Sequence, residues 1–299
     1  MINDFLVAIG DLSSSKIDIY NQSKSIIHSI SIADAFRFKL YSNSLLAKVS
    51  GGSTLGWQVW NRLNWTLIQS NTQTCNGVIY DCEYIDSNTL AVGGPCYGVD
   101  IYNIQTGMKI KNFTTSTNLV NSLKLITHNL LAAGGYGKID IYNLSTWSVL
   151  KTLDNMDNAA INDIALISES WLASGSQAPN IKIWDFTLGT LIYTLIGHTG
   201  WVNSLTVISS TILASGAMDW NIILWDLKNG QSIYTLNDKV SGYIQYSLDF
   251  YNDDVLICGY TGWKINFWQI STGRLLSTFD ASHGVLSLIA LDKCKFKKN

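Results

Sequence analysis

The sequence has little charge and almost no proline, and these shortages narrow the classes of protein to which it can belong. Only 14% of its 299 residues are charged, the formal net charge is −2, and there are two prolines. Arginine occurs three times, at Arg37, Arg62 and Arg274. A nucleic-acid-binding protein needs a concentrated basic stripe that neutralises phosphates. The one basic cluster, residues 293–298, is interpreted as a solvated tail, so we expect no nucleic-acid partner.

The sequence also lacks paired cysteines and long apolar runs. These absences argue against a zinc site, a disulfide framework and a membrane-spanning helix. The five cysteines include no Cys-x-x-Cys pair, so neither a zinc site nor a disulfide framework is predicted. No apolar run approaches the ~18 residues of a membrane helix, and the start of the chain does not resemble a signal peptide. We therefore expect a cytoplasmic protein without cofactor, metal or membrane contact.

What the sequence does contain is a repeat of about 40 residues. An aromatic residue that closes an alternating strand and is followed by Asn, Asp or Gln recurs at intervals of 40, 42, 40, 42, 41 and 43 residues. The residues are Tyr20, Trp60, Tyr102, Tyr142, Trp184, Trp225 and Trp268. Such regular self-similarity is the signature of a repeat architecture.

Each repeat is predicted to contain four short antiparallel strands. In the repeat 200–240 these are 202–208, 211–216, 221–227 and 231–236, bounded by Gly, Asn, Asp or Ser. The third strands alternate between polar and apolar residues with a period of two, which excludes helix there. Four strands in about 40–45 residues indicate an all-β fold, a β-propeller with one repeat in each blade.

The two ends of the sequence predict how the ring closes. The first repeat has its second, third and fourth strands, at 5–10, 16–20 and 24–30, but no first strand. A first-strand pattern appears instead at 285–289. The prediction is a seven-bladed propeller whose C-terminal strand joins the N-terminal blade.

On this prediction the chain is one propeller domain, 1–299. The blades comprise residues 1–32 plus 283–291, 33–71, 74–116, 117–156, 157–199, 200–240 and 241–282.

One repeat carries four residues in the order and rough spacing of a WD repeat. They are His198 after Gly197, Ser215 before Gly216, Asp219, and Trp225 before Asp226. The chain as a whole resembles the WD-repeat propeller family, with divergent repeats. The resemblance implies that His198, Ser215, Asp219 and Trp225 form a buried, hydrogen-bonded structural tetrad. A Ser-His-Asp catalytic triad is the alternative for the first three, and the aligned Trp225 argues against it.

The other repeats depart from this pattern. The Trp184 repeat has Ala178 at the Asp position, and the Trp268 repeat has Cys258 and Gly262 at the Ser and Asp positions. Three further repeats have Tyr in place of Trp. These departures predict blades of unequal stability.

By the same resemblance, one rim of the central channel is the candidate binding surface. Amide and aromatic side chains are a mixture that protein interfaces favour. The candidate partner-binding residues are Phe36, Tyr80, Asn121, Asn162, Trp201, Asn203, Met218, Tyr243 and Gln245.

The function expected from these residues is that of a non-catalytic scaffold. It would bind a peptide or loop of another protein on the top face of the propeller, as a monomeric propeller within a complex. Two alternatives stay open. One is an enzyme or small-ligand binder with a site in the mouth of the central channel, and the other is a regulatory module of a larger complex.

Overall fold

The computed structural model describes most of the chain. The described residues are 7–10, 16–21, 23–31, 37–41, 44–50, 56–72, 78–95, 98–117, 119–154, 157–237, 245–252, 254–281, 285 and 287–291. They form 28 β-strands in seven antiparallel four-stranded sheets.

Six sheets each consist of four consecutive strands, and we name them blades A to F. Blade A contains β4 (Arg37–Tyr41), β5 (Leu45–Ser50), β6 (Gly56–Asn61) and β7 (Thr66–Asn71). Blade B contains β8 (Asp81–Asp86), β9 (Thr89–Gly93), β10 (Gly98–Asn103) and β11 (Lys109–Thr114). Blade C contains β12 (Ser122–Thr127), β13 (Leu130–Gly134), β14 (Lys138–Asn143) and β15 (Ser148–Asp154).

The second half of the chain repeats this arrangement. Blade D contains β16 (Ile161–Leu166), β17 (Trp171–Ser176), β18 (Ile181–Asp185) and β19 (Thr190–Leu195). Blade E contains β20 (Val202–Ser209), β21 (Ile212–Ala217), β22 (Ile222–Asp226) and β23 (Gln231–Leu236). Blade F contains β24 (Gln245–Asn252), β25 (Val255–Tyr260), β26 (Lys264–Gln269) and β27 (Arg274–Asp280).

The remaining sheet joins the two ends of the chain. Its strands are β1 (Val7–Gly10), β2 (Lys16–Tyr20), β3 (Ile26–Ser31) and β28 (Ser287–Ala290), in the order β28-β1-β2-β3. This sheet corrects the prediction of a seven-bladed propeller. β1 and β28 have four residues each, the shortest of the described strands, and β1 makes three residue pairs with β2 and four with β28. The chain therefore has six complete blades of contiguous sequence and one closing sheet assembled from both ends.

Alternation along the third strands explains where the core lies. Six of the seven marker aromatics are buried, Trp60 being the partly exposed one, and Tyr102, Tyr142 and Trp225 each pack against the preceding blade. Apolar clusters fill the spaces between adjacent sheets, one of them uniting Ile183 of blade D with Trp225 of blade E. Because a β-sheet buries an apolar face only against another layer, each sheet depends on its neighbours for stability.

A ring of hydrogen bonds around the channel links the first strands of adjacent sheets. In each bond a main-chain N–H of one first strand donates to a Ser or Asp side chain of the preceding sheet, for example Leu205 to Asp163 at 2.8 Å. The other acceptors are Asp81, Ser122, Ser204, Ser247 and Ser287, at 2.8 to 3.3 Å. Phe38 donates to Ser287, so blade A is bonded to the C-terminal strand. The closing sheet is thereby tied to both of its neighbours' first strands.

The outermost strand of every sheet carries a β-bulge at one equivalent position, and the bulged residue is aliphatic. The bulged residues are Ile27, Ile68, Ile110, Leu150, Ile192, Ile233 and Leu276. All seven are at least one third exposed. A bulge disrupts the regular edge that another strand could pair with, which protects a sheet from edge-to-edge aggregation.

Candidate functional site

The four tetrad residues lie together in blade E and form a continuous chain of hydrogen bonds. His198 Nδ1 lies 2.9 Å from Asp219 Oδ2, and His198 Nε2 lies 2.7 Å from Ser215 Oγ. The indole Nε1 of Trp225 donates to Ser215 Oγ at 2.8 Å. All four side chains are buried, so Ser215 Oγ is not accessible to a substrate as a catalytic serine would be. The geometry is that of a structural network and leaves no room for a nucleophilic role of Ser215.

Asp219 joins two loops at one end of blade E. Its Oδ2 accepts from the backbone N–H of Thr199 at 2.8 Å, and its Oδ1 accepts from that of Asn221 at 3.0 Å. Burial alone would raise the pKa of Asp219, but the hydrogen bonds from His198 and these two N–H groups hold it below its usual value. A carboxylate with several charge-assisted bonds is a firm anchor for both loops.

The two loops lie on the same face of the propeller. In an antiparallel sheet successive turns emerge at opposite ends of the strands. The turn between the second and third strands therefore emerges at the same end as the connection into the next blade. We call this end the upper face. The loop 196–201 and the turn 218–221 both lie on it.

These loops display aromatic and sulfur-containing side chains that Asp219 and its partners hold in place. Trp201 is 46% exposed and Trp220 is 44% exposed. The N–H of Met218 donates to the carbonyl of Trp201 at 2.8 Å, which fixes one loop against the other. Trp220 has a φ of 67°, a left-handed conformation that is uncommon for a bulky residue and worth attention at a functional surface. We name Trp201, Met218 and Trp220 the aromatic platform.

The adjacent blade carries a further exposed tryptophan at the equivalent position. Trp263 is 59% exposed, has a φ of 65°, and occupies in blade F the place of Trp220 in blade E. Both residues precede the marker aromatic of their repeat by five positions, at Trp225 and Trp268. That spacing was available in the sequence and could have identified Trp220 and Trp263, which the resemblance alone missed.

The other predicted rim residues are distributed around the ring and are less exposed. Tyr80, Asn121, Asn162 and Asn203 are all partly buried where the first strands begin. The amide of Asn162 donates to the carbonyl of Val202 at 3.0 Å, so it already links blades D and E. Of the predicted set, the structure brings only Trp201 and Met218 together at one exposed place among the described residues.

Three rim predictions fall at the edge of what the structure describes. Phe36 and Tyr243 lie outside the described residues. Gln245 begins β24 and pairs with Tyr260, as Val202 pairs with Ala217 in blade E. It therefore has the register of Val202 and stands one position earlier than Asn203.

We expect Gly200→Ala to disturb the platform. A Cβ at this position would lie 2.7 Å from the backbone N of Asp219 and 2.9 Å from the carbonyl carbon of Met218, so the two loops would have to separate. Overpacking of this kind costs roughly 1–3 kcal/mol. The measurement is unfolding by urea, together with the near-ultraviolet circular dichroism of the tryptophans.

Gly230→Ala is the control for that variant. Gly230 has a φ of 71° in the turn after Trp225's strand, and the nearest atoms to its added Cβ are at 3.6 Å. It should lose stability through backbone strain without altering the tryptophan signal. An unchanged signal in Gly200→Ala would contradict the contact between the two loops.

Other blades keep only part of the tetrad. In blade D the indole of Trp184 donates to Ser174 at 2.9 Å. In blade F, Cys258 has the register of Ser174 and Ser215, and the buried Nε1 of Trp268 has no hydrogen-bond partner among the described residues. In the three Tyr sheets a buried aspartate two residues before the tyrosine binds neighbouring side chains, as Asp140 does with Ser116 and Thr152.

Cys258→Ser should therefore stabilise the protein. A serine hydroxyl in this register would accept from Trp268 Nε1, as Ser215 does from Trp225, and such a bond contributes about 0.5–1.5 kcal/mol. The free energy of unfolding in urea is the readout. Cys82→Ser, at a fully buried thiol of another blade, should instead destabilise the protein. A loss of similar size in both variants would show that the unpaired indole is not the cause.

The central channel contains a charged network that the sequence reasoning did not identify. Arg37 reaches across the channel: its Nη1 lies 3.4 Å from Asp81 and 3.3 Å from Asp163, and its Nη2 donates to the carbonyl of Asn162 at 2.7 Å. Lys39 Nζ lies 2.9 Å from Glu83. The sequence did contain a signal for these residues. Arg37, Asp81 and Asp163 each directly follow a predicted rim residue, and Lys39 and Glu83 lie two residues further along the same strands.

Burial and pairing set the charge states of this network. Burial raises the pKa of Asp81 despite the nearby Lys39 and Arg37. Burial works against the charge of Lys39 as well, but Asp81 and Glu83 outweigh it and raise the Lys39 pKa. For Glu83, Lys124 and Lys39 overcome burial and lower the pKa. Pairing therefore favours the charged forms of Lys39 and Glu83, whereas burial works against the charge of Asp81.

Two general tests of the described residues are negative. No helix among them is long and apolar enough to cross a membrane. They also contain no group of three or more His, Cys, Asp or Glu side chains placed to hold a metal ion.

Comparison with known proteins is consistent with this geometry. The sequence model of the family "WD domain, G-beta repeat" matches residues 189–226, which include the whole tetrad. U3 small nucleolar RNA-associated protein 15 of Schizosaccharomyces pombe (strain 972 / ATCC 24843) is 31% identical over 108 residues, which is 36% of this chain. The match spans 21% of that relative's length.

Among solved structures, the computationally designed Ika8 protein superimposes with a TM-score of 0.74. The superposition covers 96% of this chain and 90% of that one, with 20% sequence identity. At that identity the likeness concerns the fold alone.

Proposed function

Since the chain belongs to the WD-repeat propellers, we propose that it is a non-catalytic scaffold that binds a peptide or loop of another protein on its upper face. The observation that carries the proposal is the aromatic platform. WD-repeat propellers are in general protein-interaction scaffolds, and a fold alone does not assign a function. The platform gives this chain a specific surface for that role.

The chemistry of the platform suits a protein partner. Tryptophan is the residue most enriched among those that dominate binding energy at protein interfaces, together with Tyr and Arg. Trp201 and Trp220 are held by the buried tetrad, so binding would cost little loop ordering, and preorganisation of that kind increases affinity. Met218 between them is an adaptable apolar side chain that fits irregular partner surfaces.

The channel argues for a binding role and against catalysis. The carboxylates that could act as acid or base, Asp81, Glu83 and Asp163, are each engaged by Arg37, Lys39 or backbone N–H groups. A general acid or base needs a proton to exchange with a substrate at hydrogen-bond distance. These groups are committed to one another, so we propose no enzymatic activity.

The similarity to an RNA-associated protein raises the question of direct RNA contact. We propose that this chain contacts protein rather than RNA. Of its three arginines, Arg37 is committed inside the channel and Arg62 donates to the carbonyl of Leu291. A small net negative charge also disfavours phosphate binding. An electrophoretic mobility shift at low salt should show no RNA binding.

Affinity purification of the tagged full chain, with quantitative mass spectrometry, tests the proposal. Proteins whose recovery falls when the platform is altered are its partners. The cell compartment in which they are recovered, which we propose to be the cytoplasm, is read by fractionation in the same experiment. Recovery that is indifferent to every platform variant would overturn the proposed surface.

A further inference from the structure

The central channel holds a cavity of about 320 Å³, which is distinct from the aromatic platform. Small-molecule pockets span roughly 300–1,000 Å³, so this cavity is at the lower end of that range. It is lined by residues of the first strands of several sheets, including Arg37, Lys124, Ser204 and Ser287. Side chains of Lys124 and Arg37 are 33% and 23% exposed, so solvent reaches the cavity.

The cavity lining contains both cations and hydroxyl groups. The cations are Arg37, Lys39 and Lys124, from blades A and C. The hydroxyl groups include Ser204 from blade E and Ser287 from the closing sheet, and Ser287 lies beside blade A because its Oγ accepts from the N–H of Phe38. Cations together with hydroxyl groups offer an anionic group with several oxygens both charge and hydrogen-bond donors.

The hydroxyl groups of Ser204 and Ser287 can each donate a hydrogen bond to a ligand. Ser204 Oγ accepts from the N–H of Leu248 at 3.1 Å, and Ser287 Oγ accepts from the N–H of Phe38 at 3.3 Å. In both bonds the serine oxygen is the acceptor, so the O–H remains a donor. No described residue accepts from either hydroxyl. The backbone bonds meanwhile fix both oxygens in position.

Of the three cations, Lys124 has the weakest ion pair and so the most hydrogen-bond donors available to a ligand. Its closest carboxylate is Glu83, at 4.0 Å, whereas Lys39 lies 2.9 Å from the same residue. An ammonium group has three donors. Lys124 can therefore turn toward a ligand while Lys39 continues to neutralise Glu83.

The carboxylates in the lining do not oppose an anion strongly. Asp163 accepts from the N–H groups of Ile164 and Leu205 at 3.0 and 2.8 Å and is paired with Arg37. Asp249 accepts from the N–H groups of Phe250 and Ala290 at 2.9 and 3.0 Å. Both are thus satisfied by backbone donors. Asp81 and Glu83 already engage Arg37 and Lys39 next to the lining, so Lys124, at 4.0 Å from Glu83, is the cation left for a ligand.

We propose that the channel cavity binds a small organic oxyanion, a carboxylate or a phosphate monoester, through Lys124 and the hydroxyls of Ser204 and Ser287. Apolar side chains of the lining, Val207 and Leu248 among them, contact the body of the ligand. This site is independent of the proposed protein-binding face, because it involves none of the platform residues and needs no protein partner.

Isothermal titration calorimetry on the full chain tests the proposal, in a buffer without phosphate or carboxylate. The probes are succinate and glycerol 3-phosphate, each matched by its uncharged counterpart, succinamide and glycerol. We expect saturable binding at one site for at least one anion and none for the neutral compounds. The two anions distinguish a carboxylate ligand from a phosphate ligand. Absence of binding for both at millimolar concentration, or equal binding of the neutral compounds, would overturn the proposal.

Variants locate the site. Lys124→Gln should weaken binding at least about tenfold, because a hydrogen bond to a charged group is lost, and Ser204→Ala should weaken it several-fold. Lys228→Gln removes the same charge from an exposed turn and should leave affinity unchanged. Lys124 is partly exposed, so its variant should fold, and the thermal midpoint of each protein verifies this. Equal losses in Lys124→Gln and Lys228→Gln would show general charge attraction and overturn the assignment.

Discussion

The double variant Trp201→Ala/Trp220→Ala is expected to lose partner recovery by about a hundredfold or more. Two exposed tryptophans that anchor an interface each contribute roughly 2 kcal/mol or more when truncated, and every 1.4 kcal/mol is a factor of ten in affinity. Both residues lie on the upper face, where Trp201 is 46% and Trp220 is 44% exposed. The exposed parts are available to a partner, and circular dichroism with the thermal midpoint verifies that the variant is folded, so that the loss in binding is read separately from any loss in stability.

The matched control is Trp147→Ala. Trp147 is also partly exposed and also has a left-handed backbone, with a φ of 56°. It lies in the turn between the third and fourth strands of blade C, so it emerges on the opposite, lower face. Quantitative pull-down should give full recovery with this variant. Equal loss in both proteins would place the effect outside the aromatic platform.

The second large expected effect is on stability. Ser215→Ala should reduce the free energy of unfolding by about 3 kcal/mol, because it removes the acceptor for the buried indole of Trp225 and the partner of His198 Nε2. Each buried polar group that is left unsatisfied costs about 1–3 kcal/mol. The loss should be measured by urea unfolding followed by tryptophan fluorescence and circular dichroism.

Blade D supplies an internal comparison for that variant. Ser174 has the same register as Ser215 and accepts from the indole of Trp184, but no histidine completes the chain there. Ser174→Ala leaves one buried group unsatisfied, the Trp184 indole, where Ser215→Ala leaves two, so it should cost about half as much, roughly 1–2 kcal/mol. If the two variants lose the same free energy, His198 and Asp219 add nothing to the anchoring of the two loops.

Stability and binding are connected through Asp219. Its carboxylate holds the loop of Trp201 through Thr199 and the turn of Trp220 through Asn221. A protein that lacks Ser215 should retain both tryptophans but present them less rigidly. Partner affinity in Ser215→Ala should then fall by less than in the double tryptophan variant.

Much of the architecture could be predicted because it depends on period and alternation. The marker aromatics, the four-strand repeats and the recruitment of a C-terminal strand all follow from local patterns that recur along the chain. The lengths of β1 and β28 could not be predicted, because strand length at a closure depends on how many residue pairs the two ends achieve. Because these two strands are short and come from opposite ends of the chain, the structure has six complete blades and a closing sheet where seven blades were predicted.

The site was less accessible to sequence reasoning for a different physical reason. His198, Ser215, Asp219 and Trp225 have characteristic spacing within one repeat, so a pattern can find them. Arg37 contacts Asp163 across the channel, and the two residues are 126 positions apart in the sequence. A pattern within one repeat cannot reveal a contact between residues so far apart. Exposure is also a property of the whole fold, so the recurring position of Trp220 and Trp263 could be found in the sequence, whereas their exposure could not.

The most direct test of the account places a photo-crosslinking amino acid at single positions of the full chain. Benzoylphenylalanine would replace Trp201, Trp220 or, as the control, Trp147, and crosslinked partners would be identified by mass spectrometry. We expect partner crosslinks from positions 201 and 220 and none from position 147. Crosslinks from position 147 alone would contradict it, because the partner would then bind the lower face.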